Sequence, residues 1–79
     1  MFYVYVLKSE NGETYIGYTG DLKRRLTEHN TGQNISTKGR SWELIYYEAY
    51  KFDAQARARE RVLKGHGRSK QALLKRLSD

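Results

Sequence analysis

Five side chains in this sequence combine a reactive chemistry with suggestive spacing: Tyr5, Tyr15, Arg25, His29 and Glu60. Tyr5 and Tyr15 stand ten residues apart, and Arg25 stands ten beyond Tyr15. Leu22, Arg25, Leu26 and His29 follow the i, i+3, i+4, i+7 pattern of one helical face. The planar guanidinium of Arg25 matches two oxygens of a phosphate. Each residue also has a plainer reading. Arg25 could lie along Leu22 and Leu26 with its head in water, His29 could be a satisfied helical histidine, and the tyrosines could pack across a hairpin. Glu60 shares an i, i+4, i+7 stripe with Ala56 and Leu63, which turns its carboxylate towards the protein. A carboxylate placed there needs a cation. Neighbouring Arg57, Arg59, Arg61 and Lys64 could supply an ion pair, and a bound metal would serve equally.

The elements that would position these groups are short. Phe2 to Lys8 and Glu13 to Tyr18 read as two strands rich in aromatic and β-branched residues, and Asn11-Gly12 is a hairpin signal. Register decides whether the tyrosines meet. A two-residue loop would put Tyr5 and Tyr15 on opposite faces. A three-residue loop, Glu10 to Gly12 with Gly12 left-handed, pairs Tyr5 with Gly17 and puts both tyrosines on one face. The three-residue loop is the expected one. Asp21 or Thr19 caps the helix that follows, and Gly32 marks its end. The polar stretch from Asn30 to Ser41 is long for so small a protein, as functional loops often are. Trp42 to Ala49 reads as a third strand, apolar on both faces (Trp42, Leu44 and Tyr46 against Ile45 and Tyr47) and therefore central. A second helix starts at Phe52 or Asp53 and runs to about Lys64, where Gly65-His66-Gly67 breaks it. A third opens at Arg68 or Ser69, with Ala72, Leu73 and Leu77 as its apolar face. The expected fold is α+β: a three-stranded antiparallel sheet flanked by helices, in the order ββαβαα, forming one domain over residues 1–79.

Composition narrows the function. The 79 residues contain no cysteine, so nothing points to a disulfide framework, a thiolate zinc site or a thiol nucleophile. The apolar start, Met1 to Leu7, is too short to span a membrane and lacks the pattern of a secretory signal. A soluble, cytoplasmic protein is expected. Fifteen Lys and Arg against nine Asp and Glu give a net charge of +6. Residues 1–50 balance six against six, while residues 51–79 carry nine against three, so the excess lies in the last two helices. Such a segment suits a polyanion, although a solvated helical surface would look the same.

The order Tyr3-Val4-Tyr5, Tyr15-Ile16-Gly17, Arg25, His29 and Glu60 resembles the GIY-YIG endonuclease superfamily, in particular its small stand-alone members. Arg40-Ser41-Trp42, Tyr46-Tyr47-Glu48, Ala58-Arg59-Glu60 and Leu63-Lys64 strengthen the likeness. Tyr3 stands where the first motif usually has glycine. The resemblance implies metal-dependent hydrolysis of DNA phosphodiesters, with Tyr15 as general base and Tyr5 as its supporting hydroxyl. It also implies Arg25 on the phosphate, His29 assisting or orienting, and Glu60 as ligand of one Mg²⁺ or Mn²⁺. A tyrosine used as a base near neutral pH needs cations beside it, and Arg25 and the metal are the candidates. Lys38, Arg40, Arg57, Arg61 and Lys64 are the expected nucleic-acid contacts. The expected partners are DNA, branched or damaged forms included, and a protein that lends specificity. The same fold without catalysis, as a nucleic-acid-binding module, is the alternative. A protein-interaction domain accounts less well for the basic segment.

Overall fold

The computed structural model of the protein describes residues 1–32, 37, 39–65 and 67–78. Lys38, one of the expected nucleic-acid contacts, lies outside the described residues. The elements are β1 (Phe2–Ser9), β2 (Thr14–Thr19), α1 (Leu22–Asn30), β3 (Trp42–Tyr50), α2 (Asp53–Lys64) and α3 (Arg68–Leu77). Three antiparallel strands and three helices follow one another as ββαβαα, as the sequence predicts. No helix among the described residues is long and apolar enough to cross a membrane.

The β1–β2 hairpin has the three-residue loop. Ser9 N–H donates to Glu13 C=O at 2.9 Å, and Gly12 N–H donates to Ser9 C=O at 3.0 Å. Gly12 has φ +83°, the left-handed conformation that glycine adopts without a steric penalty. This loop sets the register Tyr5 to Gly17 and Leu7 to Tyr15, so Tyr5 and Tyr15 share a face.

The sheet order is β2-β1-β3, which corrects the expectation that the third strand is central. The central strand is β1, and Val4, Tyr5, Val6 and Leu7 are buried in succession along it. β3 is an edge strand that looks central in sequence because the sheet has helices on both faces. Its faces also differ from simple alternation. A β-bulge interrupts the β1–β3 register between Val6, which pairs with Tyr46, and Leu7, which pairs with Leu44. The extra residue, Ile45, shifts the phase of the strand. Trp42 and Leu44 pack with Tyr5 and Leu7 towards α1, whereas Ile45, Tyr46 and Tyr50 pack with Val4, Val6 and Ile16 towards α2 and α3. Tyr46 therefore lies opposite Trp42 and Leu44, not beside them as the alternating pattern suggests.

Each helix has a local cause. The Asp21 carboxylate caps α1 by accepting from Arg24 N–H at 3.1 Å. Its Leu22, Arg25, Leu26 and His29 face turns inward, and His29 is fully buried. α2 buries Ala56 and Leu63, and α3 buries Leu73. Leu74 and Leu77 pack beside Leu73, whereas Ala72 is exposed, so the apolar face of α3 is turned from the expected one.

One polar cluster locks α2 to β3. Tyr46, Glu48 and Tyr50 alternate along one face, and both tyrosine hydroxyls donate to the Glu48 carboxylate. Arg59 of α2 grips the same carboxylate through Nε at 2.9 Å and Nη2 at 3.0 Å. Burial works against the Glu48 charge, but the hydrogen bonds from Arg59, Tyr46 and Tyr50 outweigh it and hold the group down at about 2. A carboxylate with a depressed folded-state pKa stabilises the fold above its unfolded value, and that stability is lost as pH falls towards the folded one. Acid unfolding should therefore steepen between pH 4.5 and about 2, with on the order of 3 kcal/mol at stake. Glu48→Gln should flatten that limb in pH-dependent urea melts. An unchanged acid limb in that variant would remove the cluster as its cause.

Candidate active site

Tyr5 is the centre of the site. It is 1% exposed, and its ring lies across Gly17 on the neighbouring strand. A Cβ on Gly17 would stand 2.3 Å from both Cζ and Oη of Tyr5. Gly17 has no left-handed φ, so the glycine is required by this close approach and not by its backbone conformation. The Tyr5 hydroxyl and His29 Nε2 are 2.8 Å apart, and His29 Nδ1 lies 2.7 Å from Thr37 Oγ1. Burial, reinforced by Tyr15, pushes the Tyr5 hydroxyl well above its usual range, although Arg25 opposes the shift. Tyr5 therefore keeps its proton, and in the neutral imidazole one ring nitrogen donates while the other accepts, so both contacts are hydrogen bonds in either tautomer. Burial also pushes the His29 pKa down; Arg25 adds to this and Glu28 opposes it. A neutral, enclosed imidazole with both nitrogens engaged is suited to orienting Tyr5 and Thr37.

Tyr15 lies in front of this pair. Its ring centroid is 4.9 Å from that of His29, 6.4 Å from that of Tyr5 and 6.2 Å from that of Trp42. It is half-buried, and its hydroxyl makes no hydrogen bond to another described residue. The Lys64 ammonium lies 5.8 Å from the Tyr15 ring centroid and 3.1 Å from the Glu60 carboxylate. Glu60 on α2 is thus linked to Tyr15 through Lys64, and its charge opposes ionisation of Tyr5. Arg25 is anchored by Glu28, with Nε 3.3 Å from Oε1.

Among the described residues, no group of three or more His, Cys, Asp or Glu side chains forms a metal cage. Glu60 offers one hard carboxylate, its side chain 23% exposed, and its present counter-ion is the flexible Lys64. Mg²⁺ commonly takes one or two protein carboxylates and completes its shell with water and substrate phosphate. The donor present fits a single ion held in that way.

Of the expected nucleic-acid contacts, Arg57, Arg61 and Lys64 line one shallow groove of about 480 Å³ with Glu60. Arg57 also pairs with Asp53 at 2.9 Å and lies over the Tyr18 ring. Arg40 is apart from this groove and pairs with Glu13 at 2.7 Å. Sequence reasoning missed the supports of the site. Trp42 donates its indole N–H to Thr37 C=O at 2.9 Å. Asn30 donates to Trp42 C=O at 3.0 Å and accepts from Trp42 N–H at 2.7 Å. Thr37 carries no pattern that a sequence can show. Asn30 and Trp42 were legible only as a helix end and a strand aromatic.

The model of the GIY-YIG catalytic domain matches residues 1–73. A UPF0213 protein of Haloquadratum walsbyi is 35% identical over 74 residues, covering 91% of this chain and 83% of that protein. A UPF0213 protein of Streptococcus agalactiae is 42% identical over 64 residues, covering 78% and 73% respectively. The solution NMR structure of a UPF0213 protein from Bacillus halodurans superposes with a TM-score of 0.59 at 33% identity, covering 99% of this chain and 86% of that one.

Proposed function

Because the chain belongs to the GIY-YIG family, we propose that it is a divalent-metal-dependent endonuclease hydrolysing DNA phosphodiester bonds. The observation that carries this reading is the convergence of Tyr15 and Lys64 with Glu60 beside a Tyr5–His29 pair that packing alone does not require. Tyr15, acting as a phenolate beside the Lys64 ammonium, takes the proton of the attacking water and becomes the neutral phenol. Tyr5 and His29 fix the place of Tyr15 and exclude water behind it. Arg25, held at Nε by Glu28, offers its remaining donors to the phosphate as charge develops. Glu60 would hold one Mg²⁺ or Mn²⁺, which would supply Lewis acidity at the scissile phosphate. The basic faces of α2 and α3 follow the phosphate backbone in a sequence-independent, salt-sensitive way.

The test is cleavage of labelled single-stranded, duplex, flapped and branched DNA with Mg²⁺, Mn²⁺ or EDTA. Products should form only with metal, and Tyr15→Phe should slow them by about 10²- to 10⁴-fold, the usual worth of a positioned general base. A Tyr15→Phe rate equal to wild type would remove Tyr15 from that role. One observation favours the non-catalytic alternative: Glu60 and Arg25 are both ion-paired within the protein. DNA binding that weakens with salt, without products in either metal, would establish the binding module instead.

A further inference from the structure

On the α1 face of the sheet lies a hollow of about 530 Å³ between α1 and the β1–β3 pair. Its walls are apolar and aromatic: Leu22, Leu26, Leu44, Tyr3 and Tyr47, with Lys23 at the rim. Tyr3 and Tyr47 meet edge to face at a centroid distance of 6.0 Å, and Tyr47 is 53% exposed. An exposed aromatic standing beside an open, leucine-lined hollow calls for an occupant.

Three observations identify it. First, the hollow has one cationic side chain, Lys23. Its acidic lining residue, Asp21, is directed at its own helix, where it accepts from Arg24 N–H. Second, Gly20 and Asp21 line both this hollow and the smaller cleft that contains Arg25, so the two are neighbours at the start of α1. Third, a tyrosine ring beside aliphatic walls, with an ammonium at the edge, matches the flat base and anionic phosphate of one nucleotide. A base held within a duplex keeps its faces stacked on its neighbours and could not enter.

We propose that this hollow is a subsite for an unpaired nucleotide of the DNA strand, its base against Tyr47 and its phosphate near Lys23. This deepens the nuclease reading and rests on it: the preferred substrate would carry a single-stranded segment next to the phosphate cut.

The test is fluorescence anisotropy in EDTA, where nothing is cleaved, using a labelled single strand and a blunt duplex of equal length. Tyr47→Ala should weaken the single strand by about tenfold, the scale of one lost base–aromatic stack, and the duplex by less than twofold. Tyr47→Phe, which keeps the ring, should bind the single strand like wild type. Equal losses on both DNAs, or no loss on the single strand, would overturn the subsite. A wild-type protein that sediments as a dimer and becomes monomeric with Tyr47→Ala would also overturn it, making the hollow a contact between copies. Binding here is read without metal, so failure of the subsite and failure of cleavage are separate results.

Discussion

Glu60→Ala protein is expected to bind DNA as tightly as wild type and to cleave it about a thousandfold more slowly. Glu60 is the carboxylate on α2 that is linked to Tyr15 through Lys64, its partner in the free protein at 3.1 Å. If Glu60 holds the proposed divalent ion, its loss would remove several kcal/mol of transition-state charge stabilisation, which sets the expected size of the rate loss. The fold has little to lose. The Glu60–Lys64 pair is an i, i+4 contact on a helix surface, its lysine half exposed, and such pairs contribute about 0.3–0.5 kcal/mol. The melting temperature should fall by no more than about 4 °C. In EDTA, DNA affinity should be equal or slightly higher, because a negative charge has left a basic groove. Cleavage retained at wild-type rate in Mg²⁺ would take Glu60 out of the metal site. A protein that loses binding together with cleavage would give Glu60 a structural role.

Gly17→Ala is expected to be the most damaging single-methyl change in the molecule. The new carbon would lie 2.3 Å from Cζ and Oη of Tyr5 and 2.9 Å from Cε1. The ring cannot swing aside freely, because it is enclosed with Leu7 and Trp42 and its hydroxyl is bonded to His29. Overpacking costs about 1–3 kcal/mol, and breaking the buried hydrogen bond adds about 1–3 kcal/mol. A loss of roughly 3 kcal/mol lowers the melting temperature of a domain this size by about 12–24 °C. A double-mutant cycle gives the sharper reading. With the smaller Tyr5→Leu in the background, Gly17→Ala should be far less harmful, so the two changes should couple strongly. Additive effects, or a melting temperature within about 4 °C of wild type for Gly17→Ala alone, would show that the contact is not the reason for the glycine.

Much of this geometry was legible in the sequence because it is local. Asn11-Gly12 specifies a tight loop, and choosing the three-residue form fixes Tyr5 opposite Gly17 and both tyrosines on one face. The helical spacing of Leu22, Arg25, Leu26 and His29 likewise identified the face that turns inward. Strand order was not legible. An edge strand covered by helices on both faces is as apolar as a central one, so β3 carried no mark of its place. Nor was the bulge at Ile45 visible, because one extra residue leaves the composition of the strand unchanged while moving Tyr46 to the far face. The ties from Thr37 to His29 and Trp42 join an irregular segment to two distant elements. No periodicity encodes such a contact.

The place of β1 at the middle of the sheet bears on how the chain is made. β1 leaves the ribosome before β2 and β3 and gains its second neighbour only when β3 follows: Phe2 pairs with Tyr50 and Ser9 with Trp42. Until synthesis has passed Tyr50, the run Val4 to Leu7 has one unpaired side, open to other nascent chains. Closing the sheet brings together segments from opposite ends of its first fifty residues, and such distant pairings slow folding. Refolding should accordingly show a hairpin that forms early and a β1–β3 ladder whose amide protons are protected later, a sequence that pulsed hydrogen exchange would resolve.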